Sequence, residues 1–123
     1  MSPAKSKVRA YRFGHLAEAM AALLLTLKGY RIVARRFRST VGEIDVIAKR
    51  GRVLAMVEVK ARRGGTDAAL TLGLAQRRRI ERAAAAWLAA HPGAQDCDIR
   101  FDLVVIGPGP LPRHLPGAWI AGD

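Results

Sequence analysis

The stretch "VGEIDVIAKRGRVLAMVEVKAR", residues 41–62, decides how this chain folds. Apolar and polar residues alternate on both sides of "KRGR", which is the period of two strands joined by a tight turn. The expected strands cover 41–48 and 52–61. In the first, Glu43, Asp45 and Ile47 share one face, and Ile44, Val46 and Ala48 share the other. In the second, Leu54, Met56, Glu58 and Lys60 share a face, with Val53, Ala55, Val57 and Val59 behind it. A two-residue turn at Arg50 and Gly51 pairs Lys49 with Arg52. That register sets Glu43 directly opposite Glu58 and Asp45 opposite Met56, and it gathers three acids and Lys60 on one face. A three-residue turn would send one set to the other side.

Like charges facing each other across a sheet destabilise it. Such a face needs a positive charge, and two are available. Lys60 can pair with Glu58 while Glu43 and Asp45 stay solvated, as on any exposed strand face. Alternatively a hard divalent cation, Mg²⁺ or Mn²⁺, sits between Asp45 and Glu58 and keeps water and a phosphate as its remaining ligands. Composition favours the second arrangement. The chain of 123 residues carries 21 Lys plus Arg against 10 Asp plus Glu, a net charge of +11. That excess points to a polyanionic partner, above all nucleic acid. A cation held by carboxylates beside a lysine is a device for hydrolysing phosphodiesters. In that chemistry Asp45 and Glu58 hold the metal. Lys60 orients or activates water and stabilises the charged transition state.

Outward from the hairpin, residues 11–28 carry helical spacing, with Leu16, Met20, Leu23, Leu24 and Leu27 as the expected buried stripe, and Gly29 ends the helix. "YRIVARRFRS" reads as a first strand. Residues 62–73 lack periodicity. A second helix is expected over 74–90, burying Ile80, Ala83, Ala84, Trp87 and Leu88, and stopped by His91-Pro92-Gly93. "DIRFDLVVIG" is the last clear strand; its apolar run 103–106 suggests burial on both faces, and the helix before it makes it parallel to an earlier strand. "GAWIA" in the tail either adds a short edge strand or packs Trp119 on the body. The expected fold is α/β, a small mixed sheet flanked by helices in the order α-β-β-β-α-β. Residues 1–10 form a basic flexible N-terminus, 11–106 the domain, and 107–123 a Pro/Gly-rich tail that packs on it.

Cys97 is the sole cysteine, so no disulfide within one chain and no Cys-based zinc site is spelled out, and the usage fits a reducing cytoplasm. The apolar run 19–27 is too short to span a bilayer, and no membrane partner is expected. Neither a signal peptide nor a second domain is expected.

The ordered segments "GHLAEAMAALLLTLKGYRIV", "GEIDVIA", "VEVKAR" and "RFDLVVI" resemble the YraN-like (UPF0102) family of small bacterial nuclease-like proteins, over residues 13–106. Asp45 followed by Glu58-Val59-Lys60 is similar to the D…ExK core of the PD-(D/E)XK superfamily, which holds restriction endonucleases and archaeal Holliday-junction resolvases. The superfamily's proline is absent, with Ile44 before Asp45. The resemblance implies a restriction-endonuclease-like fold, with Asp45 and Glu58 as metal ligands and Lys60 as the catalytic lysine. It also implies that Glu18, on the first helix, brings a further acid to the site, and that Gln76, opening the second helix, faces it. Read alone, Glu18 is a solvated acid at the stripe's border and Gln76 a helix cap. Glu43 is expected to steady a ligand from outside the metal's own set. Asp102 is expected to pair with an arginine.

Arg35, Arg36, Arg38, Arg62, Arg63, Arg77, Arg78 and Arg79 flank the acids and are expected to contact phosphates. Nothing resembles a base-reading module, so recognition by backbone and shape is expected, of DNA more than RNA. A homodimer would suit two-strand cutting. Two other readings stay open, a non-catalytic nucleic-acid-binding module and a protein-interaction subunit.

Overall fold

The computed structural model describes residues 3–61, 72–107 and 109–123, with side chains from residue 14 onward. Helix α1 covers Pro3–Leu27, strands β1 to β3 cover Arg31–Ser39, Gly42–Arg50 and Val53–Ala61, helix α2 covers Leu74–Ala90, and strands β4 and β5 cover Asp98–Ile106 and Arg113–Trp119. One five-stranded sheet runs in the order β1-β2-β3-β4-β5. All pairs are antiparallel except β3 with β4. The α/β class and the parallel crossover through α2 are as the patterning implies. Helix α1 begins at Pro3, so the backbone over 3–10 is helical rather than the frayed stretch its composition suggests.

The tail resolves into a true edge strand. β5 pairs with β4 and carries Trp119, whose ring stacks on Phe101 at 5.2 Å and whose Nε1 donates to Glu81 at 3.1 Å. The expected loop over 62–73 falls outside the described residues as far as residue 71.

Two cores form, one on each face of the sheet. Behind α1 lie Ala17, Ala21, Leu25, Val46, Ala48, Ala55, Val57 and Val104. Behind α2 lie Ile44, Ile47, Leu54, Met56, Ile80, Ala83, Trp87 and Phe101. The α2 stripe is the expected one, with Leu88 only partly buried. The α1 stripe is not. Leu16, Leu23 and Leu27 are exposed, whereas Ala17, Glu18, Ala21, Ala22 and Leu25 are buried. Small alanines let the helix lie close to the sheet, and this close approach takes Glu18 from the border into the interior.

The hairpin register also differs from expectation. Arg50 pairs with Val53 and Val46 with Val57, so the two-residue turn is Gly51–Arg52. Gly51 has φ 60°. Placing glycine first in the turn supplies the left-handed conformation a tight hairpin needs. The pairing therefore slides by two residues, which preserves which residues share a face and changes which acids meet. Continued past Val46, this register brings Asp45, not Glu43, toward Glu58. Ile44 joins Ile47 behind α2, so strict alternation in β2 does not extend past Asp45.

Candidate active site

The β2–β3 ladder ends at Val46 and Val57. Just beyond it, the Val59 amide donates to Asp45 Oδ2 at 2.8 Å. A side-chain carboxylate thus takes the place of the next backbone acceptor, which fixes Asp45 against β3 beside Glu58. The two carboxyls are close enough to act on each other's ionisation. Gln76, in the first turn of α2, donates through Nε2 to Glu58 Oε1 at 3.1 Å and accepts from Lys60 Nζ at 3.2 Å. Lys60 Nζ is 3.7 Å from the same Glu58 oxygen. Helix α2 has no side-chain cap at Gly73, and Gln76 does not provide one; its amide is spent on the site.

Burial pushes the Glu58 carboxyl up to about 8, and the Asp45 charge adds to the effect against the opposing pull of Lys60. Burial also raises Asp45; the Val59 amide partly offsets this, while Glu18 pushes the same way as burial. Two partly desolvated carboxyls that resist ionising together share protons as a pair.

Glu18 is buried and occupied. Its Oε1 accepts from Arg35 Nε at 3.2 Å and its Oε2 from Arg36 Nε at 2.7 Å. Arg36 also meets His15 Nε2. Arg36 is the only non-glycine residue at positive φ among the described residues, at 55°. It falls between the pairs Arg35–Val46 and Phe37–Ile44, which is the position facing Asp45. A non-glycine residue held there costs on the order of 1 kcal/mol, which the Glu18 ion pair offsets.

A cavity of about 430 Å³ opens onto this cluster. Asp45, Glu58, Gln76, Glu43 and Arg79 line it, together with the β1–β2 turn at 39–42. Gly42 packs so tightly on α2 that a Cβ there would stand 2.2 Å from the Arg79 carbonyl oxygen. This contact seats the wall of the cavity on the helix that carries Gln76.

The structure therefore brings together Asp45, Glu58, Lys60 and Gln76, with Glu18 close enough for its charge to be felt and Glu43 on the cavity wall. It treats the arginines unequally. Arg35 and Arg36 are engaged by Glu18, and exposed Arg38 stands across from Glu43. Arg79 lines the cavity. Arg78 turns to Glu81 and to the backbone oxygen of Asp123. Arg77 buries its Nε with no hydrogen-bond partner among the described residues. Arg62 and Arg63 lie outside the described residues. Among the described residues, no group of three or more His, Cys, Asp or Glu is arranged to hold a metal. The acids that face each other are the pair Asp45 and Glu58.

Residues 17–106 match the family described as uncharacterised protein family UPF0102. The chain belongs to the UPF0102 family. It is 55% identical over 118 residues to a UPF0102 protein of Rhodopseudomonas palustris strain BisB18, covering 96% of this chain and 87% of that one. A UPF0102 protein of Parvibaculum lavamentivorans is 56% identical over 110 residues, with 89% and 83% covered. One from Nitrobacter winogradskyi is 52% identical over 115 residues, with 94% and 98% covered. The family match begins at Ala17, one residue before Glu18, and ends at Ile106, so it contains every residue of the acidic cluster and excludes β5.

That excluded strand completes a second polar network in this UPF0102 chain. Asp102, fully buried in β4, accepts from Arg100 at 2.8 and 2.7 Å, from His114 at 2.8 Å and from the Gly117 amide at 3.0 Å. Burial pushes its carboxyl up, but these hydrogen bonds outweigh it and hold the group below the usual carboxylate range. Arg100 continues to the Tyr30 hydroxyl, and His114 to Lys28 Nζ. Asp102 pairs with an arginine as expected. The role of His114 was not visible, because nothing in the order of the chain sets residue 114 beside residue 102. His15 and Gly42 were missed for the same reason: each acts through a contact with a distant element. No helix among the described residues is long and apolar enough to cross a membrane.

Proposed function

We propose that this chain is a divalent-metal-dependent nuclease-type domain that hydrolyses phosphodiester bonds in DNA. The observation that carries this reading is the Asp45–Glu58 pair, two carboxyls forced together beside Lys60 and Gln76 at the mouth of a cavity. As a packing arrangement it is costly, since burial opposes ionisation of both carboxyls and the Asp45 charge further opposes that of Glu58. It fits a hard cation, which favours both charged forms and is content with one or two carboxylates. Asp45 and Glu58 would hold Mg²⁺ or Mn²⁺, which when bound supplies charge neutralisation at the phosphate and an acidified water.

The remaining roles belong to the chain's own groups. Gln76 holds Glu58 and Lys60 at fixed separation through one amide. Lys60 then presents Nζ to the attacking water or to the developing charge on a phosphate oxygen. Arg79 and Arg38, near the cavity in a chain of charge +11, support backbone contacts with DNA. Glu18, with both oxygens taken by arginines, fits a positioning role better than a ligand role.

A panel of linear, branched and single-stranded DNA, incubated with Mg²⁺ or Mn²⁺, tests the proposal. Cleavage is expected from the wild type and not from Asp45→Ala or Lys60→Ala; activity surviving both substitutions sinks the mechanism. Among the described residues no group of three or more His, Cys, Asp or Glu is arranged to hold a metal, and this favours a second reading, a binding module that keeps the fold without turnover. Tight DNA binding with neither cleavage nor calorimetric uptake of Mn²⁺ selects that reading.

A further inference from the structure

A second cavity, also of about 430 Å³, lies at the opposite end of α2. About 15 residues of helix, or roughly 22 Å, separate Gln76 from His91 at its rim. Arg31 and Lys49, Leu54, Trp87 and His91, and Cys97 contribute to its lining, which contains no acidic residue. Arg31 and Lys49 are direct cross-strand partners on β1 and β2. Neither forms an ion pair or a side-chain hydrogen bond among the described residues. Two like charges paired across a sheet, with no counter-charge among the described residues, are suited to an anion from outside.

The rest of the lining says what kind of anion. The His91 imidazole lies flat on the Trp87 indole, with centroids 4.0 Å apart and planes 13° from parallel. Its Nδ1 donates to the Trp87 carbonyl oxygen at 2.7 Å, which fixes the ring's orientation and makes a rigid aromatic wall. Leu54 supplies an apolar floor. A bare phosphate would use the cations and leave the wall and floor uncovered. A flat uncharged molecule would use the wall and leave the cations unpaired. The volume falls within the roughly 300–1,000 Å³ typical of small-molecule sites.

We propose that this cavity binds a nucleotide unit, its phosphate between Arg31 and Lys49 and its base against the His91–Trp87 wall. The site is separate from the acidic cluster and does not depend on the nuclease reading. The same chemistry comes from a free nucleoside monophosphate or from the phosphorylated end of a strand.

Cys97, as the only cysteine, reports on occupancy in the native protein. Its alkylation rate by neutral iodoacetamide is measured with AMP, adenosine, inorganic phosphate and 5′-phosphorylated tetradeoxyadenylate. AMP at about ten times its Kd is expected to slow the reaction about tenfold, as simple occupancy requires, while adenosine or phosphate alone slows it less than about twofold. Stronger protection by the oligonucleotide than by AMP assigns the site to a strand end; the reverse assigns it to the free nucleotide. The double variant Arg31→Ser, Lys49→Ser loses the protection, and Asp45→Asn keeps it. In the unmodified chain, AMP moves the Trp87 indole N–H resonance and leaves that of Trp119 in place, a readout that needs no variant. No protection by either nucleotide, or protection undiminished in the double variant, overturns the proposal.

Discussion

Gln76, in the first turn of α2, donates to Glu58, in β3, across 3.1 Å, and the far side of the same amide accepts from Lys60. The side chain of one helix thereby sets the spacing of two groups on a strand. Substituting Gln76 with Ala removes both bonds and leaves partly buried Glu58 and Lys60 with only each other, so stability should fall by about 1–2 kcal/mol. Metal affinity or cleavage should fall about 10- to 100-fold, the usual effect of losing a group that orients ligands. Calorimetry with Mn²⁺ alongside thermal melts checks the split.

The Glu58 carboxyl, raised to about 8, makes stability depend on pH. Between its ordinary value of 4.5 and about 8 the folded chain binds more protons than the unfolded chain, so stability falls as pH rises through that window. Asp45 acts in the same direction. The melting temperature should drop by on the order of 5–10 °C from pH 5 to pH 8.5, and Glu58→Gln should flatten the curve. Millimolar Mg²⁺ at pH 8 should restore part of the loss in the wild type and none in Asp45→Asn, by mass action on the folded state.

Glu18 holds two arginines, one of them at φ 55°. Glu18→Ala should cost about 1–3 kcal/mol, because it leaves partly buried guanidinium groups without their counter-charge. Lys60→Ala should cost less than about 1 kcal/mol, because the Glu58 carboxyl it leaves behind can take up a proton, burial having already raised it. Urea unfolding of the two variants compares an acid that supports the fold with a lysine proposed to act in the chemistry.

Much of this was legible in the sequence. The alternation in 41–62 gives both strands, their shared face and the membership of Asp45, Glu58 and Lys60, because side-chain period depends only on the chain itself. The register was not legible, since Gly51 could take either position in the turn and a slide of two residues leaves the faces unchanged. Helix α1 misled because its leucines mark a plausible stripe, while the face that packs is set by how closely Ala17, Ala21 and Ala22 approach the sheet. The engagement of Arg35 and Arg36 by Glu18 followed from that rotation and was equally hidden.

Gly42 and Gly51 should respond differently to the same change. A Cβ at Gly42 meets the Arg79 carbonyl at 2.2 Å, backbone that cannot swing aside, so Gly42→Ala should cost about 2–4 kcal/mol and impair the cavity. At Gly51 there is open space but φ is 60°, so Gly51→Ala should cost only the left-handed conformation, about 1–2 kcal/mol. Gly51→Asn should recover most of that, and denaturant titration of the three variants checks the order.

Asp102→Asn should be the most damaging of these substitutions, at about 3–5 kcal/mol, since it removes the fully buried charge that partly buried Arg100 and buried His114 both pair with. Mn²⁺ uptake by the fraction that remains folded should be unchanged, which calorimetry on the purified folded fraction would show.

The parallel pairing of β3 with β4 has a consequence for synthesis of the chain. Strands β1 to β3 leave the ribosome as a contiguous meander with Asp45, Glu58 and Lys60 already on it. The free edge of β3, Val53–Ala61, then waits for residues 62–97 to be made before β4 can cover it. An apolar strand edge left open for that interval is a template for pairing with another nascent chain. Slow translation through 62–97, or a stalled message there, should raise aggregation far more than the same delay after Trp119, when β4 and β5 have closed the sheet.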